Sequence, residues 1–512
     1  MEEIQRDFKN VPHERFKTKP YAHQIDYLQY WSDKDAVGIT AEMGTGKTWM
    51  MINDMAAKWG ESECDAVLVL APNGVHRAWH HIEIPTHMPT WVHYKSVEWL
   101  STAKKEYKKQ LEEIFTVYES RPLRILTMNW EALQSKRGYD FAERFCSSFS
   151  KVMIICDESD AIKNPKAART KALFKLKPYS KYRRIMTGTM INNSPFDAFT
   201  QLTFLDENIL GTSSFYSFKA EYAEMLQDNN PLLQSIRSKM SGGLRSYGTP
   251  QIVAKNMDGT PIYKNLDKLN AIIKKHCYRV TKKDCLDLPE KIYKTVYFDL
   301  TPEQLVIYKQ AKEECRLVFQ SDTTTFNKLV AFGKLSQITS GYYCHPLSEE
   351  PVRIQGPTPK LDLLVDHVLK VVESGEKIII WAKYRVEIQD IFDRLKDKKI
   401  SIVQYHGGTT TESRKHAIKS FEQGDAQVFL GNPQAAGIGI TLVAASYVIY
   451  FSNSFSLRNR LQSEDRAHRI GQTKNVTYIN LAAKDTIDED IIASLGNKKS
   501  IADSIIGGEM TL

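Results

Sequence analysis

A chain of 512 residues suits two to four domains of ordinary size. Its 42% hydrophobic and 25% charged residues are those of a globular protein with large cores, and no apolar run approaches the ~18 residues that a membrane helix needs, so no membrane partner is expected. The formal charge of +8 is a mild basic excess, which suits a polyanionic partner without requiring one.

The opening residues, MEEIQRDFKNVPHERFKTKP, contain no apolar core of a secretory signal. Seven scattered cysteines with no C-x-x-C pair argue against a disulfide framework or a zinc site and suit a cytoplasmic compartment. Gln24, in PYAHQ, carries an amide able to pair with N6 and N7 of adenine; a helix-surface glutamine is the plain alternative. An apolar strand is predicted at residues 36–40, followed by AEMGTGKT at 41–48 and a helix at 49–58. In that context Gly44, Thr45 and Gly46 form a turn whose backbone N–H groups face inward around phosphate oxygens. Lys47 would reach the outer phosphates of ATP and the Thr48 hydroxyl would coordinate Mg2+.

Short apolar runs then recur at 66–72 (AVLVLAP), 124–129 (RILTMN), 152–158 (VMIICDE) and 184–189 (RIMTGT), with Cys156 as packed core. In the second half they stand at 377–382 (KIIIWA), 401–407 (SIVQYHG), 427–432 (QVFLGN), 447–452 (YVIYFS) and 476–483 (VTYINLAA). Such runs mean strands buried on both faces, hence parallel sheets with helical crossovers and two α/β domains. Asp157 and Glu158 end the third run, where α/β sheets bind ligands. Asp157 would hold Mg2+ and Glu158 would orient or deprotonate a water; taken alone, such a pair is as often a helix cap. Thr187, Gly188 and Thr189 end the next run and suit a hydroxyl relay, or only a strand-end turn.

Residues 200–360 have a different, polar-helical texture, with turn-rich breaks at 242–250, 257–261 and 351–359. The expected organisation is an ATP-binding α/β domain at 1–200, a helical insertion and link at 201–290, a helical insertion of the second half at 291–359, and a second α/β domain at 360–512. A basic cluster, Lys274, Lys275, Arg279, Lys282 and Lys283, could meet phosphates or form a solvated helix face. His406, Gly407 and Gly408 follow one strand of the second half; Gly437 and Gly439 follow another and allow close backbone approach. Arg466 and Arg469, three apart in QSEDRAHRIGQ, would share a helix face with Gln462 one turn back. Two guanidiniums so placed can clamp a triphosphate; Glu464 and Asp465 nearby make a salt-bridged surface the competing explanation. TIDE at 486–489 reads as a capping box opening a last helix.

In order, PYAHQ, AEMGTGKT, LAPNGVHRAW, LTMNWEAL, CDESD, MTGTMINN, KIIIWAKY, YHGG, AAGIGITL and QSEDRAHRIGQ resemble helicase superfamily 2, and within it the Swi/Snf-type DNA translocases. DRAHRIGQ, MTGTMINN and RVTKKDCLDLPEK carry the narrower resemblance, which spans residues 20–500. It implies two RecA-like parallel-sheet P-loop domains in tandem with helical insertions. It also implies ATP hydrolysis between them by Lys47, Asp157 and Glu158, with Arg466 and Arg469 as arginine fingers and Gly437 and Gln462 near the nucleotide. The motor would track double-stranded DNA as a monomer, gripping its backbone through Pro72, Asn73, Thr127, Asn129, Lys383, His406, Gly407 and Thr441. The chain's size suggests a minimal motor of bacterial or phage type. Three positions depart from the pattern: Asp160 stands for a histidine that couples hydrolysis to DNA, Ala41 for an acidic residue, and Thr441 for asparagine. A strand-separating or annealing helicase, and a non-enzymatic protein with a degenerate motor fold, are the competing readings.

Overall fold

The computed structural model describes residues 15–101, 104–227, 230, 234, 252–256, 260–321, 325–344, 351–435 and 440–507. The chain divides into two units, Met1–Cys285 with Ser500–Leu512, and Leu286–Lys499. In the first, the apolar runs become strands β1 (Ala36–Ala41), β2 (Ala66–Ala71), β4 (Leu123–Asn129), β5 (Val152–Asp157) and β6 (Ser180–Met186). Two further strands, β3 (Tyr94–Glu98) and β7 (Cys277–Val280), complete a seven-stranded sheet in the order β3-β4-β2-β5-β6-β1-β7. Every pairing is parallel.

Successive side chains on a strand face opposite ways. Along β2, Leu68 and Leu70 enter one core cluster while Val67 and Val69 enter another, and all four are fully buried. Each such side chain contributes about 1.5–3 kcal/mol of burial. This explains the near-continuous apolar runs: both sheet faces are covered. Cys156 is packed core, as expected.

The second unit has a six-stranded parallel sheet in the order β12-β13-β11-β14-β15-β8. Its strands are β8 (Lys291–Phe298), β11 (Lys377–Trp381), β12 (Ile402–Tyr405), β13 (Val428–Gly431), β14 (Ala445–Tyr450) and β15 (Val476–Ala483). Helices Pro302–Ser321 and Thr325–Thr339 and an antiparallel pair, β9 (Tyr342–Cys344) and β10 (Pro351–Arg353), fall between β8 and β11. The expected break at 351–359 thus holds β10 and then opens helix Pro359–Glu373. Helix Ile487–Gly507 starts where TIDE placed it: the Thr486 hydroxyl accepts the Asp488 N–H at 3.3 Å.

Two expectations are corrected. The region 200–360 supplies not only helices but β7 and β8, each the edge strand of a core sheet. Edge strands expose one side, so β8 mixes Lys291 and Lys294 with the exposed Tyr293 and Tyr297 instead of forming an apolar run. The division accordingly falls after Cys285, and residues 201–285 belong with the first core. The break expected at 242–250 lies outside the described residues, as do residues 257–259 of the other. Among the described residues no helix is long and apolar enough to cross a membrane.

Candidate nucleotide site and its surroundings

Strand β1 runs into the loop 42–46 and then the helix Lys47–Gly60. Gly44 and Gly46 hold φ angles of 83° and 80°, a left-handed conformation that glycine adopts without strain. A Cβ on Gly46 would collide with Gln24 Nε2. The loop is braced from both sides. His23 Nε2 lies 2.7 Å from the Thr45 carbonyl oxygen, the Thr45 hydroxyl donates to the Glu42 carbonyl at 2.8 Å, and Glu42 accepts the Lys282 N–H at 2.9 Å. Lys47 is buried and donates to the carbonyl oxygens of Ala41 and Glu42 at 2.7 and 3.0 Å. Thr48 is half-buried at the start of the helix.

Gln24 is buried, which removes the helix-surface alternative. Its Oε1 accepts the Tyr21 N–H at 2.9 Å and its Nε2 donates to the Gly46 carbonyl at 3.4 Å. The amide therefore buttresses the loop, and an adenine edge would have to compete for it.

Asp157, at the end of β5, is buried, and desolvation, then the charge of Glu158, raises its pKa to about 7. Lys47 and a hydrogen bond from Trp79 act the other way. Trp79 Nε1 donates to Asp157 Oδ2 at 2.8 Å, while Trp130 Nε1 donates to the Asp157 backbone carbonyl at 3.0 Å. Both tryptophans are buried. Glu158 has a φ of 51°, unusual for a side chain of this size and a sign of local strain beside the candidate catalytic carboxylates. Among the described residues no three His, Cys, Asp or Glu side chains converge as a metal site. Mg2+ takes one or two carboxylates and completes its shell with water and substrate phosphates. A buried carboxylate whose ionised form is held at a cost fits such a cation.

The Asp157 strand end and the TGT segment are joined by a hydrogen-bonded chain. Asn192 Nδ2 donates to Asp160 Oδ2 at 3.3 Å, and Thr189 Oγ1 donates to Asn192 Oδ1 at 2.7 Å. Thr187 accepts the Thr189 N–H at 3.1 Å, and its own N–H donates to the Ile39 carbonyl of β1 at 3.0 Å. A Cβ on Gly188 would meet Met43 of the phosphate loop at 3.1 Å. The carboxylate of Asp160 thus occupies the place expected of a histidine and engages the segment MTGTMINN through Asn192. Asp197 supports the same loop, accepting the N–H groups of Asn192 and Asn193 at 3.0 and 2.8 Å.

In the second unit the arginine pair is not helical, contrary to expectation. Helix Leu457–Glu464 ends before it, and residues 465–471 form turns closed at Gly471, whose φ is 101°. The helix spends its charges internally: buried Glu464 accepts from Arg460 at 2.7 Å and from the Tyr293 hydroxyl at 2.7 Å. Lys291 lies 3.4 Å from both Glu464 and Asp465. The turn segment is pinned by Gln472, which donates to the carbonyls of Val443, Ala445 and Ala467. The Arg466 carbonyl accepts the Leu442 N–H at 2.9 Å, and Arg469 Nη1 donates to the Ile440 carbonyl at 3.3 Å. Arg466 is buried; Arg469 and Gln462 are half-buried. Gly437 and Gly439 lie outside the described residues.

The backbone-gripping candidates separate by exposure. Asn73 and Gly407 are exposed, and Pro72, Asn129, His406 and Thr441 are half-buried. Lys383 is half-buried, its ammonium 2.9 Å from the Tyr384 hydroxyl. Thr127 is a correction: it is fully enclosed within β4, paired beside Val69 and Glu98, and offers no surface. The basic cluster is spread over several elements. Lys274 and Lys275 end the helix Leu266–His276, Arg279 lies in β7, and Lys282 is buried against Glu42. The sequence reading gave no role to Trp79, Trp130, Asn192 or Asp197; Trp79, Trp130 and Asn192 stand inside strings that carried the resemblance, but their roles need the contacts.

A family model described as an SNF2-related domain matches residues 23–341, and one described as a helicase conserved C-terminal domain matches residues 359–471. An uncharacterized ATP-dependent helicase of Mycoplasma genitalium is 26% identical over 93% of this chain and 41% of its own length. A chromodomain-helicase-DNA-binding protein 1-like of Danio rerio is 24% identical over 95% of this chain and 44% of its own. A putative ATP-dependent helicase/translocase of Bacillus subtilis is 24% identical over 71% and 36%. The chain thus spans about two-fifths of the length of these curated relatives. Among solved structures, the Sulfolobus solfataricus SWI2/SNF2 ATPase core in complex with dsDNA is 24% identical, with a TM-score of 0.40 over 97% of this chain and 95% of that one.

Proposed function

Since this chain belongs to the SNF2-related family, we propose that it is an ATP-driven motor acting on DNA, hydrolysing ATP to move along the double strand. The observation that best supports this is the braced phosphate loop together with a buried Asp157 carboxylate held by Trp79. In this reading the triphosphate lies on the N–H groups of residues 44–48, and Lys47 leaves the Ala41 and Glu42 carbonyls for its outer phosphates. Thr48 and Asp157 would hold Mg2+, which neutralises charge on those phosphates. Glu158 aligns the attacking water and accepts its proton. Arg466 and Arg469 are the candidates to serve the charge that develops on the transferred phosphoryl group.

Coupling runs through Thr189, Asn192 and Asp160. A carboxylate at position 160 still receives a hydrogen bond from this loop, so replacement of the histidine need not cut the chain of contacts. Gripping through backbone phosphates makes binding salt-dependent and independent of sequence. Lys47→Ala tests the reading: it should abolish ATP turnover while leaving duplex binding in place. Equal turnover in variant and parent would reject the motor and favour a DNA-binding protein with an inert motor fold.

A further inference from the structure

A cavity of about 320 Å³ opens in the first unit beside the loop that follows β6, apart from the phosphate loop. Its lining includes Lys163 and Lys166, from the segment after β5, and Phe196 and Asp197, from the segment after β6. Phe215 and Lys219 come from the helix Phe215–Tyr222. The Lys219 ammonium lies 5.5 Å from the Phe196 ring and 5.8 Å from the Phe215 ring. Burial, then the charge of Lys166, holds its pKa below the ordinary lysine value. The lining carboxylate, Asp197, already accepts two backbone N–H groups and lies 3.8 Å from Lys163. Three cations therefore face a concavity with one engaged anion, over an aromatic floor. Gathering like charges in this way costs free energy that an anion would offset.

We infer that this cavity receives the backbone phosphates of a DNA duplex, as a contact of the motor proposed above. Lysines spaced around a rim are point charges that follow a polymer's phosphates; a site built for one free phosphate would offer arginine forks or a nest of backbone N–H groups, and among the described residues no arginine lines this cavity. The carboxyl ends of parallel strands are also where α/β sheets take ligands. A phosphate here competes with Asp197 for Lys163. Asp197 holds the N–H groups of Asn192 and Asn193, and Asn192 holds Asp160, so occupancy acts directly on the relay to the nucleotide site.

The test is duplex binding by the full chain, followed by fluorescence anisotropy over about 50–200 mM salt. The Lys166→Ala/Lys219→Ala double variant should show a slope of log affinity against log salt shallower than the parent's by about 1.8, at about 0.9 per phosphate contact. Lys166→Ala alone, at an exposed position, should lose about half of that. The double arginine variant should keep the parental slope. A parent that binds duplex and a double alanine variant with the same slope overturn the cavity but not the motor. A parent that binds no duplex at any salt overturns both. Loss of slope in the arginine variant as well would mean packing, not charge, and also overturns the inference. So would a polyglutamate peptide that binds the parent, not the double alanine variant, and leaves duplex binding untouched: the cavity would then serve an acidic protein segment.

Discussion

Trp79→Phe is the most informative single change. It keeps most of a buried ring and removes one donor, the indole N–H 2.8 Å from Asp157 Oδ2. A buried hydrogen bond to a charged group is worth about 1.5–3 kcal/mol. If that stabilises the ionised, metal-ready carboxylate, its loss weakens Mg2+ binding by about 10- to 150-fold. The direction follows from the surroundings: burial and Glu158 already push the Asp157 carboxyl up to about 7, and Trp79 and Lys47 are the groups holding it down. The assay is ATP turnover against free Mg2+ at saturating ATP, with thermal melting of the same samples. The half-saturating Mg2+ concentration should rise by that factor, and excess Mg2+ should restore turnover. An unchanged Mg2+ dependence, with turnover lost only in proportion to a lower melting temperature, would refute the positioning role.

Four further changes probe other links. Asp54→Asn leaves Arg184, fully buried and 2.7 Å from Asp54, without its counter-charge; unfolding in urea should show a loss of about 3–5 kcal/mol. The carbonyls of Ser32 and Asp35, which also accept from Arg184, should keep that loss near the lower figure. Gly46→Ala forces a left-handed φ and a collision with the Gln24 amide; at about 1–3 kcal/mol of strain, binding of a fluorescent ATP analogue should weaken at least fivefold. Asn192→Ala removes the link between Thr189 and Asp160, and should lower DNA-stimulated turnover about tenfold while leaving the KM for ATP nearly unchanged. Asp160→Asn, which keeps an acceptor for Asn192, should lose less than Asn192→Ala in the same assay.

The sheets were legible because a strand covered on both faces must be apolar, as β2 is throughout and β5 is up to Asp157. β3, β7 and β8 were not, for the opposite reason: they are edge strands with a wetted side, and YKSVE or KIYKTVYF has no pattern that separates it from a helix or loop. The strand, loop and helix around residues 41–48 were legible because glycine, lysine and threonine at fixed spacing after a strand have few other uses. The arginine pair was expected on a helix and lies in turns. The helix ends at Glu464, and Gln472, which donates to the Val443, Ala445 and Ala467 carbonyls, with Gly471 at a φ of 101°, holds the arginines in the turns beyond. Trp79 and Asn192 act across 78 and 32 residues respectively, on Asp157 and Asp160. Such separations leave no periodicity to read. Thr127 misled because position in a motif says nothing of which way a strand residue faces; within β4 it is enclosed.

The most direct test of the motor is the rate of ATP hydrolysis by the full chain at fixed salt with no nucleic acid, single-stranded DNA, or duplex of the same length. A double-strand translocase should be stimulated several-fold more by duplex than by single strand, and Lys47→Ala should be inactive in every case. Equal stimulation by the two DNAs would contradict movement along the double strand and favour a strand-separating helicase, while turnover surviving in Lys47→Ala would contradict the nucleotide site itself.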